Sequence, residues 1–251
     1  EWVDYVDVAT GARIRQLTTY RGNSNHLYFT NYGWYHRDQR LLIGSERENR
    51  PNLYSVDTDT GELTQLTDLG PQPLPYPSYF HRVAIDPGSE QAFFGYGRQV
   101  MRLDLNTLEM TPLWEMPEGM LRNMINVTAD GQYVCVGTYA IPDMDKALDL
   151  ARRYTYGGSV YSGTGMSQRD TWEAHPLSQI VRIPTAGGPA AVIREERTWL
   201  NHVNTSPTLP NVLTCCHEGP WQLVDHRIWG LDTDTGEAWR IRPRPGPFPS
   251  L

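Results

Sequence analysis

The chain has 251 residues, 39% of them hydrophobic and 20% charged, the balance of an ordinary globular protein rather than a disordered or collagen-like one. Its 22 basic residues against 29 acidic ones give a net charge of −7. No basic run stands out, which argues against a nucleic-acid binder, and no apolar stretch approaches the ~20 residues of a membrane-spanning helix. Three cysteines, Cys135, Cys215 and Cys216, indicate no disulfide framework and fit a reducing, cytoplasmic setting. Residue 1 is Glu rather than Met, so the chain is expected to start inside a longer reading frame or after processing.

Long helical periodicity is scarce, and short apolar runs alternate with Gly, Pro, Asp and Asn clusters, an all-β pattern. Residues 4–18 (DYVDVATGARIRQLT) read as strand, polar turn and strand, with the turn at Gly11. The same unit returns at 53–67 with its turn at Gly61, at 100–114 with Leu108, at 180–194 with Gly187 and at 228–242 with Gly236. A Thr-Gly pair after an Asp supplies a turn that tolerates the left-handed backbone region. A period near 48 with one such hairpin per repeat predicts a β-propeller of four-stranded blades, about five of them in this chain. A second element precedes each later hairpin, a turn feeding an inner strand: near Tyr35, Ile85, Val127 and Thr205.

The interval between Leu108 and Gly187 is longer than the others and holds an insertion at about 140–177. Its first part, Ile141 to Tyr154, is expected to be helical, with Met144, Leu148 and Ala151 on one side. The Gly-rich stretch from Tyr156 reads as a loop. Insertions of this size sit on a propeller face, where ligands bind. A Pro-rich tail, 243–251, cannot carry a ladder strand, so 1–242 is read as one partial propeller domain.

The densest functional-looking block runs from Trp199 to Trp229. It holds three of the seven histidines, His202, His217 and His226, with Glu218, Asp225 and Arg227. Strand packing does not demand such a concentration of titratable and aromatic residues. A structural reading stands beside it, with His217 and Glu218 capping a turn and His226 solvated on a strand. An earlier cluster, Asn23 to Tyr35, carries His26 at the mouth of an aromatic strand. Inner strand ends of a propeller converge on its axis, so His26, His81 and His202 are candidates to meet there. His36 and His175 read as surface residues. Cys215 and Cys216 lack metal-ligand spacing, and strand alternation sends one into the core and one out. Nucleophile-elbow, phosphate-loop and HExxH patterns are absent from the sequence.

Three stretches carry a family resemblance: Ser45 to Thr67, Trp199-Leu-Asn-His202, and Cys216-His-Glu-Gly-Pro-Trp-x-Leu-Val-Asp-x-Arg-Ile-Trp229. Together they resemble oligogalacturonate lyase, the last block most specifically and the first more loosely, as in other propellers of the TolB type. The resemblance runs to about Arg242. It implies a seven-bladed propeller that cleaves the short galacturonide products of pectin breakdown by β-elimination in the bacterial cytoplasm, with Mn²⁺. The proton on C5, alpha to the uronate carboxylate, is weakly acidic. A divalent cation on that carboxylate stabilises the developing charge, a histidine takes the proton, and an arginine balances charge. By motif that arginine is Arg227, with His26, His202 and His217 as cleft residues that contact substrate.

The family's base histidine lies in a His-Glu-Phe-Trp motif about two dozen residues beyond the Asp-x-Arg-Ile-Trp strand, and its metal ligands come later still. Neither is matched in this sequence, so no base and no metal ligand is assigned. The expectation is a C-terminally truncated lyase with little activity alone and open sheet edges that invite strand-mediated association. A second reading keeps the fold without the chemistry: a non-catalytic propeller binding an anionic sugar or a protein. A third makes His202, His217 and His226 a metal site.

Overall fold

A computed structural model describes residues 1–76, 80–153, 155–156, 159–160 and 168–241. The chain is nearly all β. A two-stranded hairpin, β1 (Val3–Val6) and β2 (Arg13–Gln16), opens it. The first large sheet holds β3 (Ser24–His26), β4 (Trp34–Tyr35), β5 (Arg40–Ser45), β6 (Asn52–Asp57) and β7 (Leu63–Gln65), in the order β3-β5-β6-β7 with β4 also on β5. The second is a meander of β8 (Ala84–Asp86), β9 (Gln91–Tyr96), β10 (Gln99–Asp104) and β11 (Met110–Glu115).

The third sheet begins with β12 (Met120–Val127) and β13 (Tyr133–Ala140). It is then interrupted by α1 (Met144–Arg153), the short pair β14 (Thr155–Tyr156) and β15 (Ser159–Val160), and α2 (Gln168–Glu173). It resumes with β16 (Leu177–Pro184) and β17 (Ala191–Arg197). The fourth is β18 (Leu200–Thr205), β19 (Val212–His217), β20 (Ile228–Asp232) and β21 (Ala238–Arg240). All pairings are antiparallel.

The repeat seen in the sequence is the outer hairpin of each sheet, and its turn explains its recurrence. Asp7, Asp57, Asp104 and Asp232 each accept, on Oδ1, the amides two and three residues on. Gly11, Gly61, Leu108 and Gly236 follow at φ of 72°, 72°, 61° and 72°. Only the first of the five units differs from expectation: its hairpin stands as a two-stranded sheet, so four full sheets accompany it.

Adjacent sheets bury apolar layers between them. Leu42, Leu53, Val83, Phe94 and Leu103 join the first two sheets. Phe93, Ile125, Val134 and Val181 join the second and third, and Cys135, Ile180, Leu200, Leu213 and Leu231 the third and fourth.

Toward the common centre the contacts turn polar. Asn31 Nδ2 donates to the carbonyls of Val83 (2.7 Å) and Ile125 (3.2 Å), tying the loop after β3 to both following inner strands. Asn123 and Asn126 donate to Leu200 O and Val203 O, each at 2.8 Å. Each bond satisfies a buried carbonyl that strand pairing on that side leaves open. The innermost strands are thus held edge to edge by side chains, the arrangement of propeller blades.

In the third sheet the segment from residue 141 to residue 176 joins the second strand to the third. In α1 Ala147 is buried, with Met144 and Leu148 half-buried beside it. The side chain of Ala151, most of the Gly-rich stretch from Tyr156 and the 243–251 tail lie outside the described residues. Among the described residues no helix is long and apolar enough to cross a membrane.

Candidate functional site

The fourth sheet sets up the site. Residues 218–227 connect β19 to β20, the same strand connection that carries the insertion in the third sheet. The pairing of β18 with β19 slips between Asn201 and Asn204. His202 sits in that bulge at φ 47°, its amide bonded to Asn201 Oδ1 at 2.7 Å. A bulge turns a side chain out of the ladder register, and here it turns the imidazole onto Glu218.

Glu218 is the hub. Its Oε1 lies 3.1 Å from His202 Nε2, and its Oε2 accepts from Arg227 Nη2 at 3.1 Å. Arg227 Nη1 donates to Gly219 O at 2.9 Å, and its guanidinium lies 4.2 Å from the centre of the Trp221 ring. On the far side, His202 Nδ1 meets the Tyr28 hydroxyl at 3.3 Å, across 174 residues of sequence. Tyr28 in turn lies against Phe29, ring centres 4.4 Å apart. One continuous line of contacts therefore joins the loop after β3 to the loop before β20.

Burial raises the Glu218 carboxyl, but the hydrogen bond from His202 and the charge of Arg227 outweigh it and hold the group below its usual range. An ionised carboxylate only accepts, so His202 Nε2 carries the proton facing it. In the neutral ring Nδ1 is then the acceptor for the Tyr28 hydroxyl. Burial lifts the Tyr28 phenol above its ordinary value, which keeps it a donor. Burial and the Glu218 charge push Cys216 up to about 12, so it stays a thiol beside the hub.

The other sequence candidates sit elsewhere. His217 is bonded to Glu196 Oε2 at 2.9 Å and stacks 5.0 Å from the Trp229 ring. It points between the third and fourth sheets, on the face of β19 that carries buried Cys215. His26 is exposed, with Nδ1 3.0 Å from Leu27 O. His226 meets the edge of Trp229 at 5.4 Å. His36 and His175 are exposed, and the side chain of His81 lies outside the described residues. Of the four carried residues, His202 and Arg227 come together through Glu218, and His217 and His26 do not join them. Cys215 is buried and Cys216 half-buried, as strand alternation predicts.

Glu218, read from the sequence as a member of the dense block or as a turn cap, was not among the site residues expected. Tyr28, Arg82 and Arg122 gave no motif signal. Arg82 donates to Arg122 O at 3.3 Å. Arg122 donates to the carbonyls of Gly97 (3.0 Å) and Gln99 (3.4 Å). Burial and the charge of Arg82 push Arg122 down to about 10. Its side chain lies where Gly95 leaves room: a Cβ there would fall 1.8 Å from Arg122 Cζ.

The resemblance implies a divalent metal, Mn²⁺. Among the described residues no three His, Cys, Asp or Glu side chains are placed to share an ion. The His202–Glu218 and His217–Glu196 pairs each have an arginine as third neighbour, Arg227 at Glu218 and Arg194 at Glu196, and a guanidinium repels a cation. These residues do not fit Mn²⁺, and the triad of His202, His217 and His226 is not assembled.

A family model described as oligogalacturonate lyase matches residues 162–245, which take in the whole Glu218–Arg227 segment. The chain resembles the oligogalacturonate lyases. It is 25% identical over 239 residues to an oligogalacturonate lyase of Dickeya dadantii, covering 95% of this chain and 56% of that one. An oligogalacturonide lyase of Pectobacterium atrosepticum matches with the same identity and coverage. The chain thus spans a little over half the length of these curated relatives.

In fold it superposes on a solved oligogalacturonate lyase in complex with manganese, with a TM-score of 0.78, 22% identity and coverage of 98% of this chain and 60% of that one. The oligogalacturonate lyase of Vibrio parahaemolyticus gives 0.79 at 19% identity, with the same coverage. TolB of Acinetobacter baumannii is a more distant likeness, at 0.55 and 13% identity.

Proposed function

We propose that this chain serves the β-elimination of short galacturonides, and that its own contribution is the side of the site that holds the uronate carboxylate and balances its charge. The observation that carries this reading is the setting of Arg227. The guanidinium is almost fully buried, at 12% side-chain exposure. It is oriented by Glu218 and Gly219 O and covered by Trp221, beside His202. A planar fork fixed in this way suits a carboxylate better than a mobile ammonium would. Charge that grows on the uronate carboxylate as the C5 proton leaves is stabilised by a cation already in place.

Glu218 keeps Arg227 and His202 aligned and holds the proton on His202 Nε2. The proton acceptor for C5 and the manganese of the family are not assigned to residues of this chain. The three unpaired cysteines support a reducing, cytoplasmic setting.

The test is a calorimetric titration of the chain with digalacturonate, compared with Arg227→Ala. The reading predicts measurable binding that weakens at least tenfold in the variant, the loss of one charge-assisted pair. Equal affinities in a folded variant would overturn it.

A further inference from the structure

Trp221 is a large apolar side chain left in water at the rim of this site. It is 58% exposed, while the guanidinium it covers is almost fully buried. One indole face rests on Arg227 at 4.2 Å, and more than half of the residue's surface is in solvent. The loop that carries it is braced: Leu223 N and Val224 N bond back to Pro220 O at 3.0 and 3.3 Å. The backbone of Gly219 lies flat against Trp172 of α2, leaving no room for a Cβ, which would sit 2.5 Å from the Trp172 ring. An exposed indole on a fixed loop loses little conformational freedom when a ligand settles on it.

We propose that Trp221 is a stacking platform for a pyranose ring, the sugar residue next to the one whose carboxylate Arg227 holds. The proposal rests on the galacturonide reading of the site. Each galacturonate unit carries a carboxylate on one edge and a patch of C–H groups on a ring face. The electron-rich indole face attracts such weakly positive hydrogens, as it does aromatic edges and cations. Arg227 and Trp221 then recognise two successive units by different chemistry, one by charge and one by apolar contact. Trp221 therefore sets the dependence of affinity on chain length, and Arg227 sets the requirement for a uronate.

A residue that only shields Arg227 would weaken all ligands alike, so chain length is the discriminating variable. The experiment measures dissociation constants for galacturonate, digalacturonate and trigalacturonate, and for a neutral galactose disaccharide, by calorimetry. The proteins are the unaltered chain, Trp221→Ala, Trp221→Phe and Arg227→Lys, each checked for folding by circular dichroism. The unaltered chain is expected to gain five- to tenfold in affinity from the monosaccharide to the disaccharide. Trp221→Ala should abolish that gain, Trp221→Phe should restore most of it, and Arg227→Lys should weaken every uronate alike.

A length gain that survives in Trp221→Ala overturns the platform and leaves the uronate reading standing. A neutral disaccharide bound as tightly as digalacturonate, and lost in Trp221→Ala, overturns the uronate reading and leaves the platform standing. No binding of any sugar by the unaltered chain overturns both.

Discussion

Glu218 grips His202 with one carboxylate oxygen and Arg227 with the other, each at 3.1 Å. One buried carboxylate therefore fixes both the imidazole and the guanidinium, and through His202 it reaches Tyr28 at the opposite end of the chain. Removing the carboxylate charge leaves Arg227 charged and largely buried without its anionic partner, against Gly219 O and the Trp221 ring.

Glu218→Gln is expected to destabilise the fold by about 3 kcal/mol at pH 7, the cost of breaking a buried ion pair from one side. The effect has a definite pH dependence. The folded pKa of Glu218 is depressed, so its stabilising contribution is full above the unfolded carboxyl value of about 4.3 and is lost as pH falls through the folded value. Urea unfolding at pH 7 and again in the acid range should show the two proteins converging as pH drops. A constant difference across that range would contradict the account.

Asn31 is the stitch at the centre of the sheets. Asn31→Ala leaves two carbonyls, that of Val83 just before β8 and that of Ile125 in β12, without this donor. The expected loss is about 2–3 kcal/mol, read as a lower urea midpoint with an unchanged slope. A slope that changes instead would mean that the sheets part independently.

Gly219 combines a φ of 143° with contact against Trp172, and its carbonyl holds Arg227. Gly219→Ala must move the loop or the ring. It should cost about 1–3 kcal/mol of stability and weaken digalacturonate binding along with it. An alanine variant that keeps full affinity would show that the loop position does not govern Arg227.

The sequence made the outer hairpins legible because their turns are local: an Asp that caps the amides two and three residues on and a left-handed residue four on. That chemistry repeats whatever surrounds it. The two-stranded state of the first hairpin was not legible, since pairing of its edges depends on other segments. At the site, Arg227 and His202 stood out by motif, whereas Glu218 did not, because its two partners meet it only through the slipped register of β18. Tyr28 was invisible as a partner, since 174 residues separate it from His202. The orientation of His217 could have been read from alternation: with Cys215 inward on β19, His217 two residues on shares its face and turns away from Glu218.

The most direct test of the central claim, that this face recognises a uronate through Arg227, compares trigalacturonate with its fully methyl-esterified counterpart on the unaltered chain. Esterification keeps ring size and chain length, replacing each carboxylate charge by a neutral methyl ester. The account predicts that affinity falls at least tenfold on esterification, and that Arg227→Ala binds both ligands as weakly as the unaltered chain binds the ester. Equal binding of acid and ester by the unaltered chain would contradict it.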